Sequence, residues 1–368
     1  MLMIDNDLVK RLLTMAECIR VQEEAFKQIP TGGAIHRPRI DMYFPCERDD
    51  GYYRWGSMEG ASDGMFAIRM KSDIVTWPRD ANGNWTEDKY CIKPGIYCGL
   101  VLLFSTRNGE PLAIINDGHI QHMRVGGGAG LGVKYLSRKD SHVVGMLGSG
   151  GMAQTFLEAY CAVRDIQKVK VFSLTPANRE RYAETMKKRL GIDVVPVASA
   201  REAVRGVDIL SCCTDSMSPV FDADWLEPGM HVANLNPAEV SEPAYRHFDV
   251  VIRQGTAGGR PAQDSDRQRM EVGLSPMAYI AGSEDEMKRL PKSRPELRGF
   301  GGEYPHFADL ALGKVPGRTN HDQITFYHNI GNQGLQFSSV GGFVYRKATT
   351  QGLGRELPTE WFVQDIRD

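Results

Sequence analysis

The sequence predicts an α/β protein with a doubly wound parallel sheet and a second, N-terminal α/β domain. Three observations predict it. Strands and helices alternate regularly after about residue 142, a glycine-rich turn follows the first of these strands, and the residues before them form short β-rich runs. The order of the later strands is typical of the Rossmann type, and 368 residues are enough for two domains.

Composition and charge narrow the possible partners. The formal net charge is -2 with both signs interspersed, which does not favour nucleic acid or an anionic membrane surface. The N-terminus MLMIDNDLVKRLL does not resemble a secretory signal, and no apolar run reaches the ~18 residues of a membrane span. The seven cysteines are odd in number and contain no CxxC pair. We therefore expect a cytoplasmic protein without nucleic-acid or membrane partners.

The first third of the chain predicts helices around a sheet. Apolar residues follow the helical period over residues 7–26, which predicts one amphipathic helix. Between about residues 37 and 116, β-rich runs alternate with turn sequences such as DANGN and RNGEP. These runs predict an antiparallel or mixed sheet, and a helix rich in small residues should begin after Asp117.

Strands and helices then alternate to about residue 252. The predicted strands are HVVGMLG, Val169–Phe172, Asp193–Val197, Ile209–Cys213, His231–Leu235 and Asp249–Ile252. The predicted helices are Met152–Val163, Pro176–Leu190 and Ser199–Val204, and Asp322–Tyr345 should pack as a helix onto the first domain. We thus predict one domain of residues 1–125 with about 320–368, and a Rossmann domain of residues 126–319.

The glycine-rich turn predicts a dinucleotide site. It has the form GxGxxA, lies directly between a strand and a helix, and consists of Gly148, Ser149, Gly150, Gly151, Met152 and Ala153. The glycines permit a tight turn and let backbone N–H groups approach a diphosphate at the helix N-terminus. Since strand, turn, helix and second strand have the spacing of a βαβ unit, we prefer this interpretation to a purely structural turn.

The end of the second strand favours NADP(H), with NAD(H) as the alternative. An NAD site usually has an acid there, whereas Ser173, Thr175, Asn178 and Arg179 offer hydroxyls, an amide and a cation that suit a 2′-phosphate. Thr175 before Pro176 would equally start the next helix. Thr214 and Asn234, after and within two later predicted strands, are further candidate cofactor contacts.

Three cations in the first part of the chain are candidate substrate ligands. They are Arg39, Lys71 in an otherwise apolar strand, and Arg124 in the helix of small residues. Taken singly, each also suits a solvated surface position. His119 and His122 share a helix face but lack a third ligand, so no metal site is expected.

These segments resemble the ornithine cyclodeaminase and mu-crystallin family over nearly the whole chain. The similar blocks, in order, are LTMAECIRVQEEAF, Pro38-Arg39, RMKSDIVTWP, LFSTRNGEPLAIINDGHIQHMRVGGGAGLGVKYLSR, GMLGSGGMAQ, VFSLTPANRERYA, EPGMHVANLN and PGRTNHDQITFYHNIGNQGLQ. The resemblance implies a homodimer formed by the N-terminal domain and a C-terminal helix. It also implies hydride transfer between a nicotinamide and the Cα of a small α-amino or α-imino acid.

The same resemblance assigns expected roles. Arg39, Lys71 and Arg124 match the family's carboxylate clamp, and Lys71 is the expected catalytic proton relay. The cyclodeaminases carry an aspartate where a gapless comparison places Ala238, with Glu239 beside it as a substitute that a shifted loop would need to present. We therefore expect an imine reductase or amino-acid dehydrogenase, with a cyclodeaminase or a non-catalytic NADPH-binding protein as alternatives.

Two regions are expected to influence the substrate pocket. Insertions after Pro78 and across residues 255–303 lengthen loops near the expected cleft. Asn329 and Asn332 either line the nicotinamide pocket or cap a helix. The sequence does not distinguish these two roles.

Overall fold

The computed structural model describes residues 1–80, 83–256, 268–269, 273, 275, 277–291 and 304–366. Its α-helices are α1 (Asn6–Leu12), α2 (Met15–Lys27), α3 (Gly118–Leu136), α4 (Gly151–Val163), α5 (Pro176–Leu190), α6 (Ala200–Val204), α7 (Glu242–Tyr245), α8 (Glu284–Met287), α9 (Phe307–Ala311) and α10 (Gln333–Thr350). Its strands are β1 (Leu2–Ile4), β2 (Ile35–His36), β3 (Ile40–Pro45), β4 (Gly51–Ser62), β5 (Met65–Thr76), β6 (Asp88–Tyr90), β7 (Cys98–Ser105), β8 (Pro111–Asn116), β9 (Val143–Leu147), β10 (Lys168–Phe172), β11 (Asp193–Pro196), β12 (Ile209–Cys212), β13 (His231–Asn234), β14 (Val250–Arg253), β15 (Gln268–Arg269), β16 (Ala278–Ile280), β17 (Thr325–His328) and β18 (Arg355–Glu356).

The predicted opening helix is two helices, so the prediction of one helix over residues 7–26 is wrong in this respect. The Asp5 side chain accepts from Leu8 N at 2.8 Å and starts α1. Thr14 and Glu17 form a reciprocal capping box that starts α2. The break lies at Leu13 and Thr14, where the capping box of α2 outweighs the continuous apolar period.

Among the described residues the larger sheet has eleven strands, and β3, β4, β5, β7 and β8 run antiparallel through its centre. One face packs under α2 and α10, with Phe26, Val101, Leu103, Phe337 and Val340 in the shared core. The approach is close at Gly334, where a Cβ would overlap the Glu59 backbone. The antiparallel or mixed sheet predicted for residues 37–116 is confirmed, and the strands within that range pair antiparallel.

The second sheet has the order β11-β10-β9-β12-β13-β17-β14, and all its neighbours are parallel. This doubly wound order confirms the predicted fold class. Strand β17 corrects the prediction of a helix over Asp322–Tyr345, since only the part from Gln333 onward is helical. A short apolar run buried between two strands has no period that separates it from a helix.

The two sheets are linked through shared segments of chain. Ala278–Ile280 of β16 pairs with Asp41–Tyr43 of β3, and α3 packs against α4. The division predicted at residues 125 and 126 falls inside α3, and the domain boundaries stay a prediction. Parts of both predicted insertions, after Pro78 and across 255–303, lie outside the described residues. No helix among the described residues is long and apolar enough to cross a membrane.

Candidate functional site

The glycine-rich turn has the geometry that a dinucleotide diphosphate requires. Gly148 has φ +108° and donates its N–H to Phe172 O at 2.8 Å, and a Cβ there would overlap Cys213 O. Gly150 caps α4 without a side-chain hydrogen bond, and a Cβ on it would meet nothing within 4 Å. No side chain caps the first N–H groups of α4, which suits an anion at this position.

The end of β10 lies directly beside this turn. Ser149 Oγ donates to Ser173 Oγ at 2.9 Å. The Arg179 guanidinium donates to Ser173 O at 2.9 Å and lies 5.4 Å from the centre of the Phe172 ring. Thr175 starts α5 without using its side chain as a cap. Since the segment from 173 to 179 contains no acid, its side chains present donors rather than a carboxylate.

The exposed Asn178 belongs to the same surface. Its Oδ1 accepts a hydrogen bond from the Arg181 guanidinium at 2.5 Å. The chain thus places Asn178 at the start of α5, one residue before Arg179.

Glu239 ties together the two loops that follow β12 and β13. Its fully buried carboxylate accepts from Thr214 N and Oγ1 at 2.6 and 2.8 Å, and from Leu235 N and Asn236 N at 2.7 and 2.9 Å. Burial raises the pKa of Glu239 to about 7, against the opposing effect of these hydrogen bonds. Four donors thus occupy the carboxylate and tie it to these two loops.

Asn234 is the last residue of β13, next to the loop that Glu239 holds. Thr214, which follows β12, is itself bound by Glu239. Asn234 Nδ2 donates to Asn236 O at 2.8 Å, whereas its buried Oδ1 has no hydrogen-bond partner among the described residues. A buried amide oxygen without a donor is unfavourable unless a ligand or water supplies one.

Arg39 and Lys71 meet at a buried carboxylate that the sequence interpretation missed. Arg39 reaches the two oxygens of Asp41 at 2.6 and 3.2 Å, and Lys71 Nζ lies 3.3 Å from Asp41 Oδ1. Gly56 pairs with both Asp41 and Lys71 in the sheet. A Cβ on Gly56 would overlap the Asp41 carboxylate and lie 2.5 Å from Lys71 Cε, so the ion pair requires this glycine.

The proton affinities of this pair are shifted by the neighbouring charges. Burial lowers the pKa of Lys71 well below its ordinary value, and Arg39 and Arg54 lower it further, which outweighs the effect of Asp41. Burial by itself raises the pKa of Asp41, yet this pKa lies below its ordinary value. The charges of Arg39 and Lys71 outweigh the burial. Lys71 is thus a buried amine that releases a proton easily beside a carboxylate that stays ionised.

Arg124 is close enough for its charge to interact with Arg39, but it has different partners. Its guanidinium donates to Gln336 Oε1 at 2.9 Å and to Gln121 Oε1 at 2.8 Å, and its buried Nε has no hydrogen-bond partner among the described residues. It lies 5.0 Å from the centre of the Phe337 ring. Burial and then Arg69 lower the pKa of Arg124 to about 9, so it stays cationic at neutral pH.

Two further buried arginines form ion pairs next to Asp41 and Lys71. Arg54 donates to both oxygens of Asp73 at 2.8 Å and to Glu87 at 3.0 Å, and Arg69 donates to Asp117 at 2.6 Å. The sequence of β5 contains a sign of these ion pairs, because every second residue of a strand shares a face. Arg69, Lys71 and Asp73 thus lie on the same buried face as Ala67 and Val75.

Two further candidates have local structural roles. Asn332 precedes α10 at φ +56°, but its Nδ2 donates to Gln254 O at 2.9 Å, and Asn329 Nδ2 donates to Val125 O at 3.0 Å.

His122 lies above the glycine turn, since a Cβ on Gly151 would be 2.8 Å from its Nε2. The described residues contain no group of three side chains suited to a metal ion.

Comparison with known proteins gives a consistent match. The profile of the Ornithine cyclodeaminase/mu-crystallin family matches residues 1–351. A Delta(1)-pyrroline-2-carboxylate reductase of Bacillus cereus is 24% identical to this chain, and the match covers 97% of this chain and 99% of the reductase. The alanine dehydrogenase of Archaeoglobus fulgidus is 26% identical, and the match covers 97% of this chain and 98% of the dehydrogenase. The structure of Thermococcus litoralis Delta(1)-pyrroline-2-carboxylate reductase with NADH and L-proline has a TM-score of 0.72 at 25% identity, covering 97% of this chain and 100% of its own.

The buried Glu239 should make stability depend on pH. Between its ordinary pKa of 4.5 and the folded value of about 7, the folded state holds more protons than the unfolded state. The free energy of unfolding should therefore fall by about 3 kcal/mol as pH rises through this window, relative to Glu239→Gln. Urea unfolding of both proteins across this pH range measures the difference.

The control is Glu184→Gln, on the exposed face of α5. Its free energy of unfolding should change with pH in the same way as that of the wild-type protein. If the free energies of unfolding of the wild-type protein and Glu239→Gln differed by the same amount at every pH, the expected titration of Glu239 would be contradicted.

Proposed function

Because the chain belongs to the ornithine cyclodeaminase/mu-crystallin family, we propose that it is an NADP(H)-dependent oxidoreductase acting at the Cα of a small α-imino or α-amino acid. The observation that carries this proposal is the set formed by the buried Lys71 and Arg124 with the partly exposed Arg39. A lysine with low proton affinity beside two arginines suits an anionic substrate whose nitrogen must gain or lose a proton.

Each cation has a distinct role in this proposal. Arg39 and Arg124 hold the substrate carboxylate by charge-assisted hydrogen bonds, which fixes the Cα in position. Lys71 Nζ gives its proton to the substrate nitrogen in reduction and takes it back in oxidation. Asp41 keeps the ammonium form of Lys71 oriented at 3.3 Å. The bound nicotinamide supplies or accepts the hydride.

The glycine turn is the proposed cofactor cradle. The backbone from Gly148 to Ala153 would hold the diphosphate at the start of α4. Ser173, Thr175, Asn178 and Arg179 would surround the ribose phosphate, and Thr214 and Asn234 would contact the nicotinamide half. The absence of an acid in the segment from 173 to 179 favours NADP(H) over NAD(H) in this proposal.

Reduction or dehydrogenation accounts for the site better than cyclisation. Ala238 offers no side-chain acid, and the Glu239 carboxylate is engaged by four hydrogen-bond donors. The buried Lys71 pair also favours catalysis over a purely cofactor-binding role, since an unused buried cation would only lower stability. The seven thiols, all free, support a cytoplasmic location.

We further propose a homodimer through the outer face of the larger sheet. Its side chains that point away from α10 form an apolar surface across β5, β7 and β8, with Ile68 opposite Leu102 and Leu102 opposite Ile114. Phe66 and Phe104 extend it along the same pair of strands. A continuous, partly exposed apolar face of this kind suits a second copy of the chain.

Replacement of Lys71 tests the chemistry. NADPH consumption is followed with Δ1-pyrroline-2-carboxylate, pyruvate plus ammonia, and pyruvate plus methylamine. Lys71→Met should lower kcat for the accepted substrate by about 10²–10⁴-fold, because the proton donor is lost. Lys71→Arg should be equally slow, since a guanidinium keeps the charge but does not release a proton.

NADPH binding, measured by fluorescence titration, should be unchanged in both variants. Lys89→Met is the control, since Lys89 also approaches a buried acid, at 3.5 Å, but is 39% exposed. Retained turnover in Lys71→Met would overturn the role of this lysine.

A double substitution tests the cofactor preference. Ser173→Asp combined with Arg179→Ala adds a carboxylate and removes a cation where the ribose phosphate is expected, so the ratio of the NADPH to NADH affinities should fall at least about 100-fold. Titration with each cofactor measures this ratio. Lys188→Ala, an exposed position near the C-terminal end of the same helix, should leave it unchanged. An unaltered ratio in the double variant would refute the assignment.

A charge on the outer sheet face tests the dimer. Ile68→Asp should convert a dimer into a monomer, because the interface would bury an unpaired carboxylate. Sedimentation equilibrium gives the mass, and Thr185→Asp on exposed α5 is the matched control. A monomeric wild-type protein, or a dimeric Ile68→Asp, would contradict the proposal.

A further inference from the structure

The segment after Pro78 pairs with the loop that follows β12, residues 214–218, here called the β12 loop. Thr86 and Ser216 form an antiparallel bridge, and Met217 N donates to Trp85 O at 3.1 Å. Strand β12 belongs to the parallel sheet, whereas Pro78 follows β5 of the larger sheet. This pairing therefore joins the two sheets.

Met217 also enters an apolar cluster of the larger sheet. It is 6% exposed and packs in one cluster with Tyr43, Tyr52, Val75 and Ala278, which come from β3, β4, β5 and β16. The Trp85 side chain packs against the same cluster. A residue of the β12 loop is thus part of the core of the other sheet.

The β12 loop is held from the opposite side as well. The Glu239 carboxylate accepts from Thr214 N and Oγ1 at 2.6 and 2.8 Å, and Ser216 N donates to Thr214 Oγ1 at 3.3 Å. Thr214 is the residue of this loop that is proposed to contact the nicotinamide half of the cofactor. The loop is therefore anchored to the parallel sheet at Thr214 and to the larger sheet at Met217.

The anchor at Met217 leads directly to the proposed proton donor. Val75 of the anchoring cluster lies on β5 four residues after Lys71, and both side chains occupy the same face of the strand. Four residues of an extended strand span about 13 Å. The β12 loop is thus attached to the strand that carries Lys71.

We propose that Met217 is a positioning residue, which together with Trp85 fixes the nicotinamide half of the cofactor relative to Lys71. This inference rests on the proposed function of the same site. The substrate Cα must meet the nicotinamide while the substrate nitrogen meets Lys71, and a misplacement of about 1 Å can lower the rate about 100-fold. Met217 acts in this role through Thr214, three residues earlier in the chain.

The diphosphate end of the cofactor site is attached by a different contact. Helix α3 packs against α4, where a Cβ on Gly126 would lie 2.5 Å from Thr155 O. This contact does not involve the β12 loop. Loss of the Met217 side chain should therefore displace the nicotinamide end of the site and leave the diphosphate end in place.

Two ligands of different length test this difference. 2′-Phosphoadenosine 5′-diphosphoribose carries the adenosine half and the diphosphate of NADPH but lacks the nicotinamide ring. Met217→Ala should weaken NADPH binding by at least about tenfold and leave the affinity for the shorter ligand unchanged. Met217→Leu keeps the apolar volume, so its NADPH affinity should lie within about threefold of the wild-type value. Calorimetric titration measures both affinities.

Met230→Ala is the matched control, since Met230 is 1% exposed and precedes β13 at the end opposite to Asn234. It removes an equally buried methionine and should leave both affinities unchanged. Trp85→Ala changes a partly exposed position, and should weaken NADPH binding selectively even if Met217→Ala does not fold. Equal weakening of both ligands, or of neither, in the folded variants would overturn the inference.

Turnover separates positioning from simple loss of affinity. With NADPH at saturation, Met217→Ala should lower kcat for the accepted imine roughly 10–100-fold. The deuterium isotope effect of NADPH labelled at the transferred hydrogen should increase, because hydride transfer becomes the slow step. An unchanged kcat and isotope effect would contradict the inference.

The wild-type protein keeps the two proposals distinguishable. If it binds NADH and not NADPH, only the proposed cofactor preference fails, and NADH with ADP-ribose tests Met217 in the same way. If it binds the cofactor but reduces no imine, the proposed function is overturned, while the ratio of the two affinities still decides the role of Met217.

Discussion

The pairing of charges on the covered face of the larger sheet is the constraint on which the site depends. Strand β5 carries Arg69, Lys71 and Asp73 on the same face as core residues, so each of these charges is removed from water. A buried charge is tolerated only with a partner in good geometry. Arg54 meets this requirement by donating to Asp73 and Glu87 at once, which links β4, β5 and the segment before β6. The charges at this end of the sheet therefore hold the strands in register as well as defining the clamp.

Helix α3 connects the clamp to the cofactor turn. It carries Arg124, and its small residues let α4 approach closely, since a Cβ on Gly126 would lie 2.5 Å from Thr155 O. The same holds at Gly130, where a Cβ would lie 2.9 Å from the Ala159 Cβ. Because α4 begins at the glycine turn, the position of Arg124 is fixed relative to the expected diphosphate site. The proposed substrate clamp and the proposed cofactor cradle are thus parts of one packed unit.

The sequence predicts most of the fold because most elements carry their own signal. The strands from β9 to β14 each combine an apolar run with a nearby turn, and the doubly wound order follows. Strand β17 lacked such a signal, since its four residues belong to an apolar stretch that continues into α10. The break between α1 and α2 depends on the capping box of Thr14 and Glu17, which the apolar period conceals. Both errors arise where a local hydrogen bond or a tertiary neighbour decides the structure.

The candidate site was predictable in its cations but not in their counter-ions. Asp41 reaches Lys71 across β4, through the space left by Gly56, and no spacing in the sequence reveals a contact between strands. This contact changes the chemistry, because it opposes the arginines that lower the proton affinity of Lys71. In the proposed mechanism Asp41 holds the lysine in place while the arginines favour release of its proton. Three cations alone would repel one another, and the Asp41 carboxylate between Arg39 and Lys71 reduces this repulsion.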